Sequence, residues 1–298
     1  MRTLERLGLA EPAGPARWVL AADAESRLRE LGERGDIIKR LHKSLNKDGA
    51  ARDPSSWALE GERHGEPVIG RLIARGLDDE LRGSAFAVVD GIDGRVHHLK
   101  LSDIESAGDG PIGSIVELRR FEDARGRQRI ALAVRSDLNL DQQVTAEGAT
   151  WLDQRLVARE GVELSRAGFG AEVRAALDRR IDSLAEQGLA RRDGDKVTIG
   201  RNLVSTLRSR ELDAVGQRLA SETGLTHLPV ETGDRVAGNY SRRLSLASGR
   251  FAMIVNGLGF QLVPWIPSLE RELGRHVNGI AGPGGVEWSL GRKRDLSL

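Results

Sequence analysis

Six histidines, one tyrosine and 44 carboxylates carry most of the reactive chemistry in this chain of 298 residues, and cysteine is absent. A metal-assisted site needs two ligands on one face, as in His-x-His or His-Glu-x-x-His. His42, His64, His97, His98, His227 and His276 stand in no such spacing. His97 and His98 are neighbours in a run of strand character, so their rings should point to opposite faces, one into the core and one into solvent. A nicking enzyme that attacks phosphate through tyrosine needs a histidine cluster beside it. Tyr240 has none in sequence and reads as a half-buried strand residue. No Gly-x4-Gly-Lys-Ser/Thr loop and no Gly-x-Ser-x-Gly elbow occurs. Gly257-Leu-Gly259 lacks the helix of a dinucleotide fingerprint and reads as a hairpin turn. Without cysteine there is no thiol nucleophile, disulfide or Cys-ligated metal. The expectation is a chain with no catalytic residue, no metal site and no cofactor.

The chemistry that remains is ionic. The 45 basic residues are mostly Arg, with Lys only at 39, 43, 47, 100, 196 and 293. Arg suits bidentate phosphate contacts, although a GC-rich genome also raises its use. A net charge of +1 argues against indiscriminate coating of nucleic acid. Locally the picture differs. Arg2, Arg6 and Arg17 flank one helix–hairpin segment, Arg191, Arg192 and Lys196 another, Arg242 and Arg243 begin a strand region, and Arg292, Lys293 and Arg294 close the chain. Each cluster alone reads as a solvated face. Their coincidence with hairpin and helix positions points to phosphate contacts.

The elements that must position these cations follow from periodicity. Leu4-x3-Gly8-Leu9-Ala10, a Pro/Gly turn over 11–16 and Trp18-Val-Leu20 read as the last helix and wing of a winged helix. Residues 21–46 read as an amphipathic helix pair broken at Gly32–Gly35, with a basic stretch at Lys39, Arg40, His42, Lys43 and Lys47, and 47–56 as a linker. Between 67 and 136 the period becomes two, and five short strands with turns at Asp93-Gly94 and Arg125-Gly126 predict a small SH3- or OB-like barrel. Residues 144–160 read as mostly helical. A helix over 169–189 ends at Gly188-Leu-Ala190 before a second wing, and 202–223 is helical again. Short strands return from 236 to 290, where Trp265 and Trp288 should pack a core. The fold class is thus α+β, winged-helix-like modules alternating with SH3/OB-like β-barrels. The domains are 1–48, 66–136, 144–228 and 234–298.

The order of modules repeats. Leu4-x3-Gly8-Leu9-Ala10 matches Leu184-x3-Gly188-Leu189-Ala190. At an offset of 165, Phe86, Ala87, Gly94 and Glu105 meet identical residues, four of the twenty from Phe86 to Glu105. Internal duplication and chance both deliver such a count. The first winged-helix segment lacks the leading helix of the second, so Leu4 and Leu7 lack cover. Either the natural chain begins upstream, or the module finds its cover elsewhere.

Several stretches resemble, in order, the C-terminal region of VirD-type relaxases, the mobilisation nucleases of conjugative elements. They are Leu4 to Leu20, Gly35-Asp-Ile-Ile38, Asp90-Gly-x2-Gly-Arg-x-His-His98, Gly148-Ala-Thr-Trp-Leu-Asp153, Gly168-Phe-Gly170, Ser248-Gly-Arg-Phe-Ala-Met-Ile254, Gly259-Phe-Gln-Leu-Val-Pro-Trp265 and Val286-Glu-Trp-Ser-Leu-Gly-Arg292. In that family the nuclease, with its Tyr nucleophile and His triad, lies upstream, and nothing here matches it. The resemblance implies a non-catalytic, DNA-binding accessory region acting in plasmid mobilisation, by origin recognition or strand transfer. Its partners would be duplex or single-stranded DNA and other relaxosome or coupling proteins. A module docking a relaxase to the secretion machinery and a free-standing winged-helix regulator are the alternatives. With no signal-peptide core and no apolar run of membrane-spanning length, a cytoplasmic location without membrane insertion is expected.

Overall fold

The computed structural model describes residues 2–14, 17–48, 52–58, 67–123, 125–158, 162–194 and 196–289. They form two compact units, one of residues 1–112, 117–133 and 165–169, the other of 113–116, 134–164 and 170–298. The fold is α+β, and no helix among the described residues is long and apolar enough to cross a membrane.

The first unit begins with a short helix α1 (Arg2–Arg6), a hairpin of β1 (Ala10–Gly14) and β2 (Arg17–Leu20), and a long helix α2 (Ala24–Asp48). Gly8, at φ +66°, ends α1, with Leu9 N–H donating to Leu4 O at 2.8 Å and Gly8 N–H to Glu5 O at 2.9 Å. This pair of bonds is a Schellman stop, which needs glycine at the left-handed position and an apolar residue after it. The helix α2 is continuous where a break at Gly32–Gly35 was expected. Neither glycine has a positive φ. A helical glycine costs only about 1 kcal/mol against alanine, which the surrounding Leu, Glu and Arg tolerate. The C-terminal half of α2 buries Leu41 and Leu45, with Ile37, on Ile73, Val88 and Val96 of the sheet.

That sheet has the order β3-β6-β5-β4-β7-β8, from β3 (Trp57–Ala58), β4 (Ile69–Asp79), β5 (Ser84–Gly91), β6 (Val96–Leu101), β7 (Ile115–Glu122) and β8 (Gln128–Ser136). β3 runs parallel to β6, and β4–β5 and β5–β6 pair antiparallel. A 3-10 turn, Glu105–Ala107, follows β6. His97 and His98 are both buried, not one in and one out, because β6 lies inside the sheet with both faces covered. Their faces do alternate: His98 lies against Arg40 of α2 (3.2 Å) and His97 against Asp93 (2.9 Å).

The second unit contains α3 (Leu140–Thr145), α4 (Trp151–Val157), α5 (Gly168–Glu186), the hairpin β9 (Ala190–Asp193) and β10 (Lys196–Ile199), and α6 (Leu203–Thr223). The expected helix over 144–160 is thus two short ones, because two capping boxes, Asn139/Gln142 and Thr150/Asp153, start a new helix at each. The same Schellman stop ends α5: Leu189 N–H to Leu184 O at 2.8 Å, Gly188 N–H to Ala185 O at 3.0 Å, Gly188 at φ +71°. Arg180 of α5 is fully buried, with Nη2 and Nε on Asp153 at 2.8 and 2.9 Å and further bonds to the carbonyls of Val144, Ala146 and Gly148. One guanidinium thereby fastens α3, α4 and their connection to α5.

The second sheet, β13-β12-β11-β14-β15, comprises β11 (Arg235–Leu246), β12 (Gly249–Val255), β13 (Phe260–Pro264), β14 (His276–Gly282) and β15 (Gly285–Trp288), with a 3-10 turn, Pro267–Glu272, after β13. Its strand order is that of β6-β5-β4-β7-β8. In each sheet the first long strand carries a bulge, between Leu72 and Ala74 in one and Tyr240 and Arg242 in the other. Two residues before each bulge stands a glycine whose added Cβ would collide with backbone, Gly70 with Asp90 O at 2.1 Å and Gly238 with Val255 O at 2.3 Å. Neither sheet closes into the expected barrel among the described residues. In the second, the edge strands β13 and β15 come within 8 Å at Cα without pairing. Pro264 has no N–H to donate, and β15 is only four residues long. Trp265 and Trp288 pack on the core of this sheet beside Val236, Tyr240 and Val277.

Candidate nucleic-acid interface

The sequence-predicted cations scatter. Around the first hairpin, Arg6 of α1 and Arg17 of β2 are exposed, and the side chain of Arg2 lies outside the described residues. On the second, the register Arg191↔Thr198 and Lys196↔Asp193 puts Arg191 and Lys196 on one outer face, both exposed, with Asp193 opposite the lysine. Arg192 faces the other way and folds back on α5, Nη1 on Asp182 at 2.8 Å and Nη2 on Asp178 at 3.5 Å. Arg242 lies 3.9 Å from Glu222 of α6. Arg243 pairs with Glu270 at 3.5 Å and stacks 4.9 Å over Trp265. Arg292, Lys293 and Arg294, and His64, lie outside the described residues.

Cations and apolar surface converge instead in the first unit. A cavity of about 620 Å³ opens between α2 and the sheet, lined by Lys39, Arg40, Lys43 and Ser44 of α2, Ile73, Ala74 and Arg75 of β4, Phe86 of β5, and Ile112. Spacing of three and four puts Lys39, Arg40 and Lys43 on one side of the helix. The bulge makes Ile73 the extra residue of β4, which breaks the alternation of faces and brings consecutive side chains into one wall.

The charges there are unequal. Arg40 donates to Asp78 Oδ1 at 2.7 Å and lies 4.0 Å over the Phe86 ring, which stacks with His98 at 5.7 Å. A guanidinium only donates, so His98 accepts through Nε2 and keeps its proton on Nδ1. Burial first, then the Arg40 charge, hold its pKa down at about 4. Arg75 Nη1 donates to the Gly108 carbonyl. Lys39 has Asp36 at 3.4 Å, with both side chains exposed. Lys43 is exposed and makes no ion pair among the described residues.

Sequence reasoning registered the basic stretch on α2 but chose other cations, and it missed Arg75 and the cavity. A signal was available. Three of the six lysines, at 39, 43 and 47, crowd into nine residues of a chain that otherwise prefers Arg.

Much of the resemblance rests on structural residues. Asp90 is fully buried and takes Arg52 Nη2 at 2.8 Å and Arg71 Nη2 at 3.0 Å. Gly94, at φ +82°, makes the β5–β6 turn, and a Cβ added to Gly168 would come within 3.3 Å of the Gly94 backbone. Phe169 is buried beneath Arg71 at 4.9 Å, and Thr150 and Asp153 cap α4. Tyr240 is almost wholly buried in the second sheet, and burial raises its pKa. Gly257 and Gly259 lie in the β12–β13 turn, where Asn256 Oδ1 accepts from Leu258 and Gly259 N–H. Among the described residues no three His, Asp or Glu side chains gather as a metal site.

The model of one family, described as protein of unknown function (DUF3363), matches residues 1–123 and 118–297. No curated protein and no solved structure matches the chain.

Proposed function

For a chain that belongs to the DUF3363 family of proteins of unknown function, we propose a non-catalytic DNA-binding role as an accessory region of a conjugative relaxase in plasmid mobilisation. On this reading the two helix–hairpin–helix segments are winged-helix-like and meet duplex phosphates, while the two sheets act as SH3- or OB-like platforms. The observation that carries it is the outer face of the β9–β10 hairpin, where Arg191 and Lys196 stand exposed on one side, diagonally across the ladder, with Asp193 opposite the lysine. Wings present cations to phosphate in this way. The resemblance of the sequence to the relaxase C-terminal region supplies the biological setting, and the cytoplasm is the expected location.

A gel-shift titration on duplex and single-stranded DNA at two salt concentrations tests the reading. Binding should weaken as salt rises, and Arg191→Glu with Lys196→Glu should cost about tenfold or more. Affinity no better than a neutral control protein, with no salt dependence, sinks it.

One observation favours the docking alternative. Leu7 after α1, Val19 and Leu20 of β2, and Leu28 and Leu31 of α2 are all exposed, and exposed apolar residues on one module suit a protein partner. On that reading DNA affinity is negligible, and Leu20→Ser with Leu28→Ser abolishes coupling-protein capture while the fold survives.

A further inference from the structure

The cavity between α2 and β4 has the make-up of a ligand site, and it stands apart from the hairpin reading. Its size, about 620 Å³, falls in the range of small-molecule sites. No carboxylate among the described residues lines it. Ile73, Ala74, Phe86 and Ile112 supply apolar wall, and Lys39, Lys43 and Arg75 supply positive charge. Asp78 already neutralises Arg40, and Asp36 lies 3.4 Å from the Lys39 ammonium, so among the described residues Lys43 and Arg75 carry the uncompensated charge. Gly76, the cross-strand partner of Phe86, adds no side chain over the ring.

We propose that this cavity binds a phosphate monoester carried on a flat, weakly polar body: one nucleotide unit, free or at the 5′ end of a single strand. The charge selects an anion. Two ammonium groups and a guanidinium fork with donors to spare suit a dianion better than a single carboxylate. A bare inorganic anion would leave the apolar wall unused, and a nucleoside would leave the cations unused. Both parts of the site are satisfied only when phosphate and ring are joined.

Equilibrium dialysis or calorimetry with the full chain tests this, using deoxyadenosine monophosphate, deoxyadenosine, inorganic phosphate, and a short single strand with or without a 5′-phosphate. The monophosphate or the 5′-phosphorylated strand should bind saturably, at least tenfold tighter than deoxyadenosine or phosphate alone. Lys43→Glu should weaken binding tenfold or more. Ile112→Trp, at an exposed rim position, should block the cavity without touching the core, with an unchanged circular-dichroism spectrum. Competition by the phosphorylated strand assigns the site to strand ends, and binding of the free monophosphate alone assigns it to mononucleotides. Arg191→Glu should leave this binding unchanged, so failure of the hairpin reading and failure of this one are read separately. Absence of saturable binding by both phosphorylated probes, or binding indifferent to both Lys43→Glu and Ile112→Trp, overturns the proposal.

Discussion

The two sheets share strand order, bulge, blocked glycine and a helix laid across one face, yet their helix–sheet corners differ in charge. In the first, Lys39, Lys43 and Arg75 surround an open cavity that no carboxylate among the described residues lines. In the second, Glu222 of α6 sits between Arg218 at 3.8 Å and Arg242 at 3.9 Å, so a carboxylate is shared by both cations. The hairpin modules differ in the opposite sense. Counting from each hairpin's last paired residue, Leu20 and Ile199, Leu28 of α2 stands where Leu207 stands on α6. Leu207 is 0% exposed, in a cluster with Ala149, Leu184 and Leu203, whereas Leu28 is 48% exposed. One scaffold therefore specifies neither the charge of its corner nor the cover of its hairpin, and side-chain identity decides both.

The largest test of this contrast lies in the buried ionic ties. Arg180→Met leaves Asp153 buried without its partner and should destabilise the second unit by about 3–5 kcal/mol in urea unfolding. Asp90→Ala in the first unit should cost somewhat less, since Arg52 and Arg71 are each partly exposed. A milder effect from Arg180→Met than from Asp90→Ala would invert the assignment of stability to the two units.

Leu207→Ala and Leu28→Ala form the next pair. The buried leucine should lose about 3 kcal/mol, and its exposed counterpart less than about 1 kcal/mol. Equal losses would mean that Leu28 is covered in solution, which would break the contrast outright.

Acid should separate the units next. The folded pKa of His98 lies near 4 and its ordinary value near 6.5, so between those pH values the unfolded chain binds a proton that the folded chain refuses. Stability of the first unit should be intact above about pH 6.5 and fall progressively towards pH 4, by at most about 2–3 kcal/mol. The second sheet packs Met253, Phe260 and Leu262 against α6, and the histidine there, His227, stacked 5.2 Å from the Phe260 ring, is held below its ordinary pKa by burial. Hydrogen exchange at pH 5 and pH 7 should show a larger loss in β5 and β6, around His98, than in β12 and β13, beside His227.

The smallest expected effect is Glu222→Gln, which frees Arg218 and Arg242 at the surface. Stability should change by less than about 1 kcal/mol. Any gain in phosphate-ester binding there would sharpen the view that charge alone distinguishes the two corners.

Local chemistry was the legible part of the sequence. Leu-x3-Gly-Leu specified both helix stops, because only glycine takes the left-handed position and the next leucine closes over the turn. Period-two runs located five strands of the first sheet but missed β3, and β4 runs to Asp79, beyond its apolar run. What failed depended on partners distant in sequence. His97 and His98 alternate faces as expected, but whether a face is wet depends on what lies across it. Gly32 and Gly35 read as a break because residues 37–45 gave no sign in sequence that they would be pinned against Ile73 and Val88. The cavity was hidden for a related reason. Its wall needs the extra residue Ile73, and a bulge is visible only once β4 and β5 are in register.

The unbroken course of α2 has a mechanical consequence. Twenty-five helical residues make a rod about 37 Å long, anchored through Leu41 and Leu45 at one end, carrying the hairpin through Ala24 and Arg27 at the other, and half-exposed at Leu28 and Leu31 between. A torque applied at the hairpin end reaches Lys39 and Lys43 as rotation of one stiff body. Gly32 and Gly35, where no side chain fills the flank of the rod, set its bending compliance, so that two alanines there would tighten the coupling between its ends.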